Sequence, residues 1–100
     1  MSVSLPVIFT PAAQAEATEA QDWYDAQAAG LGRRFRAELD AAVQRMLANP
    51  QQFPVVLQDV RRARLHTFPY GLFFRIAPNA LEVIARFHAS RDPQQWQRRV

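Results

Sequence analysis

The sequence predicts an α+β fold: a helical hairpin packed on one face of a small, mostly antiparallel sheet, in the order β-α-α-β-β-β. Apolar residues recur in steps of three and four across residues 12–48, and the period drops to two over residues 55–88. The 100-residue chain is 49% apolar and 21% charged and has no cysteine, so a packed core rather than disulfides must hold it together. That length fits one domain over residues 1–100, burying roughly 60–65% of the surface its unfolded form exposes.

Val3–Phe9 reads as the first strand, and Pro6 within it confines it to an edge. Thr10-Pro11 is a helix start, because the hydroxyl can cap and proline suits the first helical position. The first helix runs from Ala12 to Ala28, with Ala13, Ala17, Ala20, Trp23, Tyr24 and Gln27 at helical spacing and Gly30 as its stop. The second helix runs from Leu31 to about Ala48. Its buried stripe is Leu31, Phe35, Leu39, Ala42, Val43 and Met46, while Arg34–Glu38 and Arg36–Asp40 are i,i+4 pairs on the other side. Asn49-Pro50 ends it. Three strands follow, Val55–Thr67, Leu72–Ala77 and Leu81–His88, the last two joined by the tight turn Ala77-Pro78-Asn79-Ala80. Pro93 opens a last helical turn in the tail.

That turn sets an expected register. If Ala77 faces Ala80, then Arg75 faces Glu82 in a cross-strand ion pair, Phe74 faces Val83, Phe73 faces Ile84 and Leu72 faces Ala85. One face then carries Tyr70, Leu72, Phe74, Ile76, Leu81, Val83, Ala85 and Phe87, and the helices should cover it. The other face gathers Arg62, Arg64, His66, Arg75, Arg86 and His88 with Phe73, Glu82 and Ile84. Alternation puts Arg61 on the helix side, unless it emerges at the sheet edge or a bulge turns it outward.

Charge is uneven. Residues 1–50 hold four arginines and six acids, and residues 51–100 hold eight arginines and three acids, so a net −2 is followed by a net +5. All twelve basic residues are arginine. Guanidinium forks bind phosphate and carboxylate bidentately, and codon bias is the competing reason for the choice. Without cysteine there is no thiolate nucleophile and no cysteine-based zinc site. The two histidines and scattered acids lack metal-ligand spacing, so no metal or cofactor is expected. No apolar run approaches the ~20 residues that span a bilayer, and the N-terminus has no basic region leading a long apolar one. A cytoplasmic protein with no membrane partner is the expectation.

Several blocks carry a family resemblance: Thr10-Pro11-Ala12-Ala13; Trp23-Tyr24 followed by Gly30-Leu31-Gly32 and Phe35; Asn49-Pro50 through Phe53-Pro54; Val60-Arg61-Arg62-Ala63 with Phe68-Pro69-Tyr70; and His88-Ala89-Ser90-Arg91-Asp92-Pro93 with Trp96. In joint order and spacing they resemble the RelE/ParE superfamily of toxins from bacterial type II toxin–antitoxin modules, over nearly the whole chain. The resemblance implies the β-α-α-β-β-β order read above and a cognate antitoxin as partner. RelE-like members cleave mRNA in the ribosomal A site, whereas ParE-like members block DNA gyrase. The Phe68-Pro69-Tyr70 and Arg91-Asp92-Pro93 blocks look closer to the ParE-like and plasmid-stabilisation branch.

A metal-independent nuclease would let the 2′-OH attack its own phosphate, with Arg62, Arg64 and Arg86 stabilising the developing charge, Arg91 adding to it, and His88 as acid or base. His66 is a weaker candidate for that proton transfer. RelE-like enzymes rely on Lys/Arg clusters and a C-terminal Tyr or His, and this chain has no lysine and no tyrosine after Tyr70. A binding face for gyrase, or for the ribosome and its mRNA, would draw on Arg61, Arg62, Arg64, Arg86 and Arg91. Trp23, Tyr24 and Phe68-Pro69-Tyr70 read as packing residues, Arg98 and Arg99 as a solvated tail, and Asp92 as a cap or a partner of Arg91. A growth-inhibiting, ParE-like binder of gyrase is the first reading. A ribosome-dependent endonuclease is the second, and a non-toxic, antitoxin-binding co-repressor the third. A generic nucleic-acid binder is the fourth, and the modest +5 of the second half argues against strong binding of that kind.

Overall fold

The structure is a computed structural model and describes residues 5–88. The chain runs β1 (Val7–Phe9), α1 (Pro11–Gln27), α2 (Leu31–Ala48), a single 3-10 turn (Pro50–Gln52), β2 (Val55–Leu57), β3 (Val60–Arg64), β4 (Tyr70–Ile76) and β5 (Leu81–His88). The five strands form one sheet in the order β1-β5-β4-β3-β2, antiparallel except for β1 beside β5. The expected α+β architecture is therefore present. One strand was expected over Val55–Thr67, and the chain makes a hairpin there instead.

The helices begin and end where local chemistry directs. Thr10 caps α1, its Oγ1 accepting from the Ala13 amide at 3.2 Å, and Pro11 occupies the first turn. Gly30 takes the left-handed conformation (φ +83°) between the helices, which is available to glycine without steric cost. Gly32 brings α1 and α2 together: a Cβ there would lie 2.6 Å from the Gln21 carbonyl oxygen and 2.5 Å from Asp25 Cγ. The Gly32 amide donates to Asp25 Oδ1 at 2.9 Å across the same contact.

Ala13, Ala17 and Ala20 of α1 and Phe35, Leu39, Ala42 and Met46 of α2 are buried against Ala63, Leu72, Phe74, Leu81 and Val83 of the sheet. The small side chains on α1 let it lie close to β5. Tyr24, Phe35, Phe68 and Tyr70 pack ring to ring with centroids 4.7–5.9 Å apart, tying the hairpin to the β3–β4 connection. Trp23, expected to pack, is exposed, as is Gln27, which shares its helical spacing. Arg36 pairs with Asp40 as expected. Glu38 does not serve Arg34 but accepts from the His66 and Thr67 amides at 2.8 and 2.9 Å, fastening the β3–β4 connection to α2.

The β2–β3 hairpin turns on Gln58-Asp59, with Leu57 opposite Val60 and Gln58 at φ +51°. Gln-Asp is not a dipeptide that advertises such a turn, unlike Asn-Gly. The β4–β5 register follows the expectation from the turn through Ile76–Leu81, Arg75–Glu82 and Phe74–Val83, and then slips by one residue. Phe73 pairs with Ala85, Leu72 with Arg86 and Gly71 with Phe87, leaving Ile84 as an extra residue in β5. Ile84 and Ala85 therefore both join Val60 and Phe73 in a second buried apolar cluster, on the face away from the helices.

Two substitutions test this backbone by chemical denaturation. Gly32→Ala should destabilise the chain by about 1–3 kcal/mol, because the added methyl group meets the Gln21 backbone as well as Asp25. Gln58→Gly should stabilise it by up to about 1 kcal/mol, because glycine adopts the left-handed turn without strain.

Candidate functional site

The arginines of β3 divide by alternation. Ala63 packs into the core beneath the helices, so Arg62, opposite Phe73, and Arg64, opposite Gly71, stand on the outer face. Arg64 is exposed and Arg62 half-buried. Arg61, opposite Phe74 of β4 and Val55 of the edge strand β2, is on the helix side, as alternation expects, and not at the sheet edge. Its Nη1 donates to the carbonyls of Phe53 at 2.7 Å and Gln51 at 3.2 Å. Those bonds anchor the segment between α2 and β2. The Arg75 guanidinium is 3.6 Å from Asp59, in the β2–β3 turn. Arg75 does lie opposite Glu82 in the register, but its ion pair is with Asp59.

Arg86 was expected on the outer face beside Arg62, and the slip at Ile84 places it on the other side. It lies opposite Leu72, which is in the core beneath the helices, and its guanidinium carbon sits 4.6 Å from the centre of the Tyr70 ring. Helix α1 holds this geometry. Thr10 Oγ1 donates to the Ile84 carbonyl at 3.1 Å, the Thr10 amide donates to the Val83 carbonyl at 3.0 Å, and Glu16 Oε1 accepts from the Arg86 amide at 3.3 Å. Sequence alternation carries no signal for an extra residue. The adjacent doublets Phe73-Phe74 and Ile84-Ala85, each with one residue on either side of a strict two-residue pattern, were the available hint.

Arg86 forms part of the wall of an open cleft of about 400 Å³. Glu19, Ala20, Trp23 and Tyr24 of α1 face Pro69 and Tyr70 across it. Trp23 meets Tyr24 edge-on at 5.1 Å. Burial raises the Tyr24 pKa above its ordinary 10.0, the neighbouring Tyr70 and its hydrogen bond add to the rise, and the Arg86 charge opposes it. Tyr24 and Tyr70 were read from sequence as packing residues, and they do pack, but they also make this cleft.

His66 is exposed in the β3–β4 connection. His88 lies opposite Tyr70 in the register, and its side chain is outside the described residues, as is Arg91. The structure thus brings Arg62 and Arg64 together on the outer face, with Arg61 and Arg86 on the helix side. Among the described residues, no three His, Asp or Glu side chains gather as metal ligands, and no helix is long and apolar enough to cross a membrane. Two exposed or half-exposed guanidiniums on one face can bind anionic groups of a macromolecule.

Residues 7–93 match the family model described as the ParE toxin of the type II toxin–antitoxin system parDE. No curated protein matches the chain by sequence. Among solved structures, the chain is similar to one of the chromosomal ParDE toxin–antitoxin system from P. aeruginosa, with 18% identity and a TM-score of 0.71, over 89% of this chain and 100% of that one. It is also similar to a chain of the toxin–antitoxin complex RelBE2 from Mycobacterium tuberculosis, with 18% identity and a TM-score of 0.61, over 86% of this chain and 99% of that one. At this identity the two structures bear on the fold alone.

The Tyr24 environment gives a pH dependence with a definite sign. The folded state holds the Tyr24 proton more tightly than the unfolded chain does, so this contribution to stability is complete below pH 10 and is lost as pH rises through the folded value. Urea unfolding across the alkaline range should show that decline, and Tyr24→Phe should flatten it. An equal decline in the variant would assign the effect to another group.

Proposed function

The chain belongs to the ParE toxin family of type II toxin–antitoxin systems, and from that premise we propose that it inhibits growth by binding DNA gyrase through the Arg62–Arg64 face, and that a cognate antitoxin neutralises it. One observation carries the choice of a binder over a nuclease. Cleavage of RNA needs cations and a proton-transfer group around a single phosphate. Of the arginines a nuclease would draw on, Arg86 stands on the opposite face of the sheet from Arg62 and Arg64. Arg61 spends its donors on the backbone of its own chain. A gyrase-binding role asks less of the site, needing an accessible cationic patch on a rigid sheet and no proton transfer. In this reading the toxin works in the cytoplasm and helps retain the plasmid or chromosomal segment that encodes it.

Purified chain should inhibit gyrase-catalysed supercoiling, and its induction alone should arrest growth. The double variant Arg62→Ala/Arg64→Ala should weaken inhibition about tenfold or more while leaving the unfolding midpoint near that of the parent. Ribosome-dependent mRNA cleavage on primer extension, abolished by His88→Ala with ribosome binding retained, would replace this reading with the endonuclease. Normal growth on induction would replace it with the co-repressor.

A further inference from the structure

Residues 65–69 connect β3 to β4, directly beyond Arg64. The Leu65 amide donates to the Tyr70 carbonyl at 2.9 Å and closes this loop. Leu65 and Phe68 are buried in the main core, whereas Arg64, His66, Thr67 and Pro69 are exposed. Two side chains of α2, seven positions and so about two helical turns apart, fasten the same backbone from the helix side. Glu38 Oε1 accepts from both the His66 and Thr67 amides, at 2.8 and 2.9 Å, and Arg45 Nη2 donates to the Arg64 carbonyl at 3.0 Å. A surface loop ordinarily keeps backbone freedom that binding must remove, and here the fold has already removed it. The side chains held out in this way are a guanidinium, an imidazole and a hydroxyl. With Pro69 they surround an open hollow of about 290 Å³. Among the described residues no carboxylate lines it, unlike the cleft beside Arg86, where Glu19 stands with the arginine.

We propose that this hollow receives one acidic side chain of the target protein, bonded by Arg64 together with His66 and Thr67, and that Glu38 is the positioning residue that sets the loop for it. The proposal rests on the reading of this chain as a gyrase inhibitor, and it extends the contact surface from β3 onto the β3–β4 connection. A guanidinium fork with further donors beside it matches the oxygens of a single carboxylate. A DNA backbone asks for more, because it presents a phosphate charge about every 1.7 Å along the duplex and is held by a row of cations. Arg45 and Arg75 are bonded within the chain, which leaves Arg62 and Arg64 of the described strands on this face, too few for such a row. Glu38 does not repel the incoming carboxylate at the mouth of the hollow, since its oxygen is turned to the two loop amides.

The test is inhibition of gyrase-catalysed supercoiling by the purified full chain and its variants. His66→Ala and Thr67→Val should each raise the concentration for half inhibition by about three- to tenfold, with unfolding midpoints near that of the parent, because both side chains are exposed. Glu38→Ala should raise it about as much, and Glu38→Gln, which keeps an Oε1 to accept from the amides, should stay within about twofold of the parent. Glu38→Ala also removes a tie between hairpin and sheet, so a double-mutant cycle decides its role. In the Arg64→Ala/His66→Ala background, Glu38→Ala should change inhibition by less than about twofold. An equal loss in both backgrounds would make Glu38 a stability residue and overturn its positioning role. Inhibition within about twofold of the parent by both His66→Ala and Thr67→Val, with Arg62→Ala/Arg64→Ala still weakened, would overturn the hollow and leave the gyrase reading standing. His66-dependent binding of a DNA duplex without gyrase would assign the hollow to phosphate and overturn the proposal. A parent chain with no effect on supercoiling would remove the gyrase reading and this inference with it.

Discussion

The bulge at Ile84 persists because two polar groups of α1 meet backbone atoms on either side of it. An extra residue in a strand interrupts the ladder, and each buried amide or carbonyl left without a partner costs about 1–3 kcal/mol. Thr10 Oγ1 meets the Ile84 carbonyl, and Glu16 Oε1 meets the Arg86 amide. The Thr10 hydroxyl also accepts from the Ala13 amide, so the group that starts α1 also binds the interrupted strand. Helix start and strand irregularity are therefore one structural unit, assembled from residues 74 positions apart in the chain.

From that unit follows the division of charge between the two sides of the sheet. A one-residue slip moves every following side chain to the opposite face. Ala85 goes outward, where with Ile84, Phe73 and Val60 it builds a second apolar cluster. Arg86 goes inward, where its guanidinium finds the Tyr70 ring. A strictly alternating β5 would have placed Ala85 against the helices and Arg86 beside Arg62. The observed arrangement instead exchanges a broad cationic face for a smaller one, backed by buried hydrophobic side chains. Each of the other described arginines of the sheet and of the end of α2 is committed within the chain: Arg45 to the Arg64 carbonyl, Arg61 to the carbonyls of residues 51 and 53, and Arg75 to Asp59.

The helical half was legible in the sequence because its signals are local. Thr10-Pro11, Gly30 and Asn49-Pro50 each act through the conformation of one or two residues, and the stripe Phe35-Leu39-Ala42-Met46 needs only the helical period. The β4–β5 turn was legible for the same reason, and its register held as far as Phe74–Val83. Beyond that point, the pairing depends on Thr10 and Glu16 reaching across from α1, and no window of sequence contains both partners. The β2–β3 turn failed differently. Gln58 is held left-handed by strands that pair on either side, against its own preference. Of the site, alternation placed Arg62 and Arg64 correctly because they lie on β3, away from the slip. It misplaced Arg86 because that residue lies just past it.

Trp23 shows how exposure on one helix becomes meaningful only in three dimensions. By spacing it belongs with Tyr24 in the buried stripe, yet the aromatic contacts to Phe35, Phe68 and Tyr70 are all made by Tyr24. A helix rotates by about 100° per residue, so two adjacent large side chains cannot both enter the same narrow interface. Tyr24 takes the interior position because its hydroxyl reaches Tyr70 there. Trp23 is left on the flank, where it lines the cleft with Pro69, Tyr70 and the inward-turned Arg86. The same helix that steadies the bulge through Thr10 and Glu16 thus furnishes one side of the cleft that Arg86 lines. The aromatic rim and the cation are placed by a common cause.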